Sequence, residues 1–335
     1  MKKDCVMDIN FLVRVGCMTF NHAPYIEDAM NGFCIQETSF PFVCTIIDDA
    51  STDGEPEVIK RYLQDNFDFD NKNIIRNEET DDYVMTFAQH KTNKNCYFAV
   101  YFLKYNHYGK KSKIPYIKEW QDQVKYIALC EGDDYWTDSH KLDVQVKYLE
   151  NHQDCGLIWG KAKTYTPSDN KYGGSIGGNS PGFDSLLLKN EVVTLTAVYR
   201  KGAMNGYEDY IGEKKWLMGD YPHWLYISMN YKIKFINRVF GVYRVLQNSA
   251  SLRSSYENRV KFAYSAMDCR SYFAERNNPF LCKTIEQNFF MELFELSYNE
   301  KKYEKVLYYY KKMEKHSLRN FMKRLYSTLF LNLGK

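Results

Sequence analysis

No two cysteines in this chain stand in C-x-x-C spacing, although nine occur, at positions 5, 17, 34, 44, 96, 130, 155, 269 and 282. That absence removes the usual sequence support for a zinc site. Several of the thiols lie in apolar runs, as Cys44 does in Phe42-Val43-Cys44-Thr45-Ile46-Ile47, which suits buried free thiols in a reducing compartment. No run of about 18 apolar residues exists, so no membrane-spanning helix is expected. Met1-Lys2-Lys3-Asp4 is followed by no apolar stretch of signal-peptide length, and a cytoplasmic location is the expectation. A surplus of one charge is also missing. The 45 Lys and Arg face 42 Asp and Glu, a net charge of +3, too even to argue for nucleic acid as the partner. There is no internal repeat. The glycine-rich stretch Gly173–Gly182 has neither G-x-G-x-x-G nor G-x-x-x-x-G-K form, so it reads as a loop able to close over a substrate rather than as a phosphate loop.

What is present is enough apolar material, 44 % of 335 residues, for a large core with a helical appendage. Residues 11–18 read as a buried strand, and Tyr25 to Gln36 as a helix with Ile26, Ala29, Met30 and Phe33 on one face. A second strand, Phe42 to Ile47, precedes a helix from about Pro56 to Leu63, and Ile74-Ile75 reads as a short third strand. This alternation predicts an open, mostly parallel sheet with flanking helices. Residues 84–126 look less regular, with an aromatic-rich piece from Tyr97 to Tyr105, a basic, turn-like piece from Tyr108 to Lys113 and a helical piece from Trp120 to Tyr126. A further strand, Tyr126 to Cys130, leads into a helix carrying Leu142, Val146 and Leu149, and Leu157 to Trp159 is another strand. Glu191 to Tyr199 reads as β-rich, Asp220-Tyr221-Pro222 as a helix start, and Lys232 to Arg244 as a strand pair. From about Tyr256 the pattern is helical, and Lys301 to Lys335 holds ten Lys or Arg against two Glu. That last stretch reads as a charged helix packed by an apolar stripe, or as a helix on an anionic membrane surface.

Two acidic clusters follow predicted strands: Asp48/Asp49, and Glu131/Asp133/Asp134. The carboxyl edge of a parallel sheet is where ligands bind, and clustered carboxylates there call for a cation. A hard divalent ion with open positions for phosphate oxygens suits a nucleoside diphosphate. Each cluster is also what a capped helix start or a solvated turn looks like.

The segments Thr19-Phe20-Asn21-His22-Ala23-Pro24-Tyr25-Ile26, Ile47-Asp48-Asp49-Ala50-Ser51-Thr52-Asp53-Gly54 and Tyr126-Ile127-Ala128-Leu129-Cys130-Glu131-Gly132-Asp133-Asp134-Tyr135-Trp136 resemble glycosyltransferase family 2, inverting enzymes of GT-A fold. The third is the most specific. The resemblance spans roughly residues 10–250 and implies a GT-A domain over 1–250, with a nucleotide and metal half at 10–150, an acceptor half at 151–250 and a helical region at 251–335.

By that resemblance Thr19 and Asn21 lie beside the nucleotide, Asp49 with Asp48 bonds the base, and Asp133 stands near ribose and metal. Asp134 is then the direct ligand of Mn2+ or Mg2+, with Glu131 standing where relatives carry Asp. By the same resemblance Asp220, in Gly219-Asp220-Tyr221-Pro222-His223-Trp224, is the candidate catalytic base, although Asp followed two residues later by Pro is also an ordinary helix start. Arg244 is a candidate phosphate partner or a structural arginine. Thr194 and Thr196 fall on the acceptor side, and Trp136 and Trp224 are candidates for sugar stacking or for the core. Relatives carry a histidine where Leu246 stands here, before Gln247, Asn248 and Ser249.

The implied donor is a UDP-sugar (or a dTDP- or GDP-sugar). The implied acceptor is a saccharide or lipid-linked saccharide of a bacterial surface polysaccharide or lipopolysaccharide, with peripheral contact to the inner face of the plasma membrane as a corollary. A nucleotidyltransferase or a non-catalytic nucleotide-binding relative are the alternatives. The former should carry a basic, glycine-rich phosphate loop after the first strand, and Thr19-Phe20-Asn21-His22, which stands there in this chain, is not one.

Overall fold

The computed structural model describes residues 9–71, 75–246 and 255–333. Ile74 and Gln247, Asn248 and Ser249 lie outside them. The chain divides into two compact units. The first comprises the chain to Ser180 together with Glu191–Asn205 and Asn230–Val245; the second takes Pro181–Asn190, Gly206–Met229 and the chain from Leu246.

The first unit opens with β1 (Val13–Thr19), α1 (Ile26–Cys34), β2 (Phe42–Asp48) and α2 (Glu55–Asn66). Six of the seven β1 residues and all seven of β2 are buried, the mark of strands covered on both faces. α1 buries Ile26, Ala29, Met30 and Phe33, as its spacing predicts. Next come β3 (Phe67–Asp68), β4 (Arg76–Glu79), β5 (Tyr83–His90), β6 (Cys96–Leu103), α3 (Ile114–Gln123) and β7 (Tyr126–Leu129). The stretch expected to be less regular therefore holds two eight-residue strands as well as a helix. β8 (Tyr135–Trp136), α4 (Lys141–Asn151), β9 (Cys155–Thr166) and β10 (Lys171–Ile176) follow, and β11 (Val198–Arg200) and β12 (Lys232–Arg244) complete the sheet.

The strand order is β3-β5-β6-β2-β1-β7-β11-β9-β12-β8, with β4 on β5 and β10 on β9. The sheet is mixed rather than mostly parallel. Parallel pairing is confined to β6-β2-β1-β7 and to β9-β12, while β5, β8, β10 and β11 run antiparallel to their neighbours. Three expectations change. Lys232 to Arg244 is one long strand beside β9, not a pair. Four of the ten residues of the glycine-rich stretch are strand, because β10 runs on through Gly173 and Gly174 to Ile176. Thr194 to Thr196 is a 3-10 turn before β11, because both the Thr196 hydroxyl and the next backbone N–H turn back onto residues 193 and 194.

The second unit holds α5 (Phe183–Leu188), α6 (Tyr207–Ile211), most of α7 (Tyr221–Asn230) and the helices α8 (Tyr256–Asn277), α9 (Cys282–Asn299), α10 (Tyr303–Lys312) and α11 (Leu318–Leu333). Its core gathers Phe289, Leu293, Phe294, Val306 and Tyr309. Among the described residues no helix is long and apolar enough to cross a membrane.

Candidate functional site

From β1 the chain goes to β2 and on to β6 on one side, then returns to place β7 on the other side of β1. The connections leaving the carboxyl ends of β1 and β7 thus part in opposite directions, which opens a crevice at that edge. The loop after β1 and the acidic turn after β7 flank it.

Glu55, at the start of α2 and fully buried, fixes the first loop. Its carboxylate accepts from the Thr19 hydroxyl, from His22 N at 2.9 Å and from the Ser51 hydroxyl at 2.8 Å. Asn21 N donates to Ser51 Oγ at 2.8 Å, Thr52 N donates to Asn21 Oδ1 at 2.9 Å, and Ala23 N donates to Asp53 Oδ2 at 2.9 Å. The loops after β1 and β2 are therefore one hydrogen-bonded body. Asn21 and Ala50 bend it with positive φ, 57° and 60°, a conformation costly for alanine.

The structure gives the two aspartates after β2 different surroundings. Asp48 is buried, accepts from Ser51 N at 3.3 Å, and burial pushes its pKa up to about 6. The carboxylate of Asp49 turns to the loop after β6. His107 N donates to Oδ1 at 2.7 Å, the Lys113 ammonium lies 2.7 Å from Oδ2, and Asn106 Nδ2 donates to the Asp49 carbonyl at 3.0 Å. Lys113 is thus a partner of Asp49, and Lys104 and Lys111 pair with Glu79 and Asp82. The basic piece is exposed but ion-paired through Lys104, Lys111 and Lys113.

In the acidic turn Gly132 is pressed against Thr19, and a Cβ built on it would lie 2.2 Å from Thr19 Oγ1. Only glycine allows this approach. It brings Asp133 Oδ2 to 4.0 Å from His22 Nε2, while Asp133 Oδ1 is buried with no hydrogen-bond partner among the described residues. Asp134 is 4 % exposed and its Oδ1 accepts from Arg244 N at 2.8 Å. Burial, then the neighbouring charges of Asp133 and Glu131, push the Asp134 carboxyl well above the ordinary range. Glu131 stands exposed at the start of the turn, and its carbonyl accepts from Asp134 N at 3.1 Å.

Arg244 is buried and stitched to this turn. Nη1 donates to the Asp133 carbonyl at 2.7 Å, Nη2 pairs with Asp28, and the guanidinium lies 4.9 Å and 4.5 Å from the ring centres of Tyr25 and Tyr135. Its engaged groups hold the acidic turn in place.

Among the described residues no group of three or more His, Cys, Asp or Glu side chains forms a metal cage. An orphaned carboxylate oxygen on Asp133 beside the buried carboxyl of Asp134 is a partial donor set. Such a set fits Mg2+ or Mn2+, which bind through one or two carboxylates and complete their shell with substrate phosphates and water.

Of the two threonines in the acceptor stretch, Thr196 has a structural role. Thr196 is fully buried, and its hydroxyl accepts from Gly160 N at 3.1 Å and donates to the Val193 carbonyl at 2.7 Å, with the Gly160 carbonyl at 3.1 Å as the alternative acceptor. Trp136 and Trp224, 1 % and 0 % exposed, are core residues, and the Trp136 indole N–H donates to the Leu195 carbonyl. Neither presents a ring face to a sugar.

Asp220 belongs to the second unit. It is half-buried before α7, its Oδ1 accepts from Tyr221 N at 2.8 Å, and its carbonyl accepts from His223 N at 3.0 Å. Burial pushes the neighbouring His223 down to about 4, so that imidazole is neutral at pH 7.

Glu55, His22, His107 and Lys113 carry much of this geometry and were not singled out by motif. Thr52 and Glu55 do stand in capping-box spacing, a signal that marks Glu55 as a hydrogen-bonding residue.

No family model matches the chain. The uncharacterized proteins Rv1520 of Mycobacterium tuberculosis and Mb1547 of Mycobacterium bovis are each 29 % identical over 187 residues, 55 % of this chain and 45 % of theirs. The chain thus matches less than half the length of these curated relatives. Among solved structures, Staphylococcus aureus TarS 1-349 in complex with UDP-GlcNAc gives a TM-score of 0.48 at 15 % identity, covering 95 % of this chain and 89 % of that one. The mannosyltransferase PcManGT from Pyrobaculum calidifontis, in complex with GDP-Man and Mn2+, gives 0.48 at 14 % identity, covering 83 % and 70 %. Superposition at that level transfers no residue role to this chain.

Proposed function

We propose that this chain is an inverting glycosyltransferase of GT-A, family 2 type that moves a sugar from a nucleoside-diphosphate donor, of the UDP-sugar class, to a saccharide or lipid-linked acceptor. The observation that carries the reading is the acidic turn at the switch point of the sheet, where Asp133 Oδ1 is buried and unpartnered next to the shielded carboxyl of Asp134. Carboxylates held in that state need a cation, and an incomplete donor set leaves room for diphosphate oxygens.

Asp133 and Asp134, with Glu131 at the rim, are the residues that would hold Mn2+ or Mg2+. When bound there, the ion would supply Lewis-acid stabilisation to the departing nucleoside diphosphate. Thr19, Asn21 and Asp48 face the nucleoside side, and Asp49 shapes that side through the wall it builds with His107 and Lys113. Arg244 positions the acidic turn. Asp220 is the proposed base: its carboxylate takes the proton of the acceptor hydroxyl as that oxygen attacks the anomeric carbon opposite the leaving group. Assembly of a bacterial surface polysaccharide is the pathway class that fits this chemistry.

The test is release of UDP from a panel of UDP-sugars in Mn2+. Asp220→Asn is expected to lower turnover roughly 100-fold or more, with the thermal shift produced by Mn2+ and UDP retained. Joint loss of turnover and binding would make Asp220 a structural cap.

A further inference from the structure

The last helix, α11, turns its polar side inward and its apolar side out. Asn320 is 3 % exposed with its amide 3.3 Å from Met291 Sδ, Lys323 pairs with Glu295, and the fully buried Ser327 hydroxyl donates to the Lys323 carbonyl at 2.8 Å. Residues 320, 323 and 327 share one helix face, and it is the face packed on the rest of the second unit. Leu318, Met322, Leu325 and Leu329, at i, i+4, i+7 and i+11, form the opposite face and are 78, 57, 39 and 61 % exposed, with Phe321 beside them. Scattered exposed leucines are ordinary, whereas a continuous apolar stripe marks a contact surface.

Charge decides what the stripe contacts. Between Lys315 and Lys335 there are five Lys or Arg and no Asp or Glu. At about 100° per residue, Arg319 falls on one flank of the stripe, while Arg324 lies nearer the packed face with its guanidinium 5.2 Å from the Tyr310 ring centre, and both are exposed. Lys311 and Lys312 add exposed charge upstream. A second copy docked stripe to stripe would set these cations against their own kind with no carboxylate on the helix to answer them. A bilayer containing anionic lipid answers both features, taking the apolar side chains at its acyl boundary and the cations at its headgroups.

The geometry points to α11 as an interfacial helix that docks the protein on an anionic membrane surface. This stands apart from the sugar-transfer reading and fails or survives separately from it.

The experiment is co-sedimentation of the full chain with phosphatidylcholine vesicles, with and without phosphatidylglycerol. The protein is expected to pellet with the anionic vesicles and to remain in solution with phosphatidylcholine alone. Leu325→Glu combined with Leu329→Glu should cut the partition coefficient at least ~10-fold while leaving the circular dichroism spectrum unchanged, since both side chains face solvent. Arg319→Gln and Arg324→Gln should each cost about fivefold. Three results would each overturn the proposal. One is wild-type protein left in the supernatant with anionic vesicles. Another is equal pelleting of the Glu variant. The third is light scattering showing a dimer that the Glu variant dissolves, which assigns the stripe to a second copy.

Discussion

Lys141 sits where an ammonium is poorly accommodated. It is fully buried, its amine has no hydrogen-bond partner among the described residues, and it lies over the Trp136 ring, 4.1 Å from the centroid. Burial pushes its pKa down to about 7 from 10.5. Between those values the unfolded chain binds a proton that the folded one does not, so this residue makes stability rise with pH and leaves it lowest at and below pH 7. Methionine fills a similar volume without the charge. Lys141→Met should raise stability at pH 7 by about 1–4 kcal/mol and flatten the rise toward pH 10, as read by urea titrations at both ends of that window. An unchanged slope would contradict the assignment. In the sequence nothing but its place beside Leu142 at the start of a helix marks Lys141. Its burial follows from the packing of Trp136 beneath it, which no local pattern announces.

The two loops and the acidic turn are the elements on which the site rests. Their places were legible, because each acidic cluster ends an apolar strand and opens toward a helix. Their mutual ties were not. Glu55 bonds Thr19 and His22, residues more than thirty positions away, and Asp49 bonds His107 and Lys113 from the loop after β6. Local spacing reports caps and turns, while these bonds exist only once the sheet sets β6, β2, β1 and β7 side by side. Gly132 tests the arrangement. Gly132→Ala places a methyl group within the Thr19 side chain, so the turn must withdraw from β1. The expected outcome is a stability loss of about 1–3 kcal/mol together with at least ~10-fold weaker binding of UDP in Mn2+. Wild-type affinity in this variant would show that the turn and the β1 loop act separately.

For the whole molecule, the parallel centre of the sheet was readable from unbroken apolar runs such as Phe42 to Ile47, whereas its antiparallel margins were not. Cys96 to Leu103 reads as an aromatic-rich piece because both of its faces are covered, which leaves no alternation to betray a strand. The second unit was only partly visible. Its long helices α8 and α9 are periodic, but α5 and α6 have six and five residues, too short to show a period, and they come from within the stretch that resembles a transferase.

The proposed function rests on the turn after β7 holding a divalent ion together with a nucleoside diphosphate. Calorimetric titration of UDP into the full chain, in Mn2+ and again in EDTA, measures this directly. The account predicts binding in Mn2+ that weakens at least ~10-fold in EDTA, and the same loss in Asp134→Asn with Mn2+ present. Equal UDP affinity in all three titrations would contradict it.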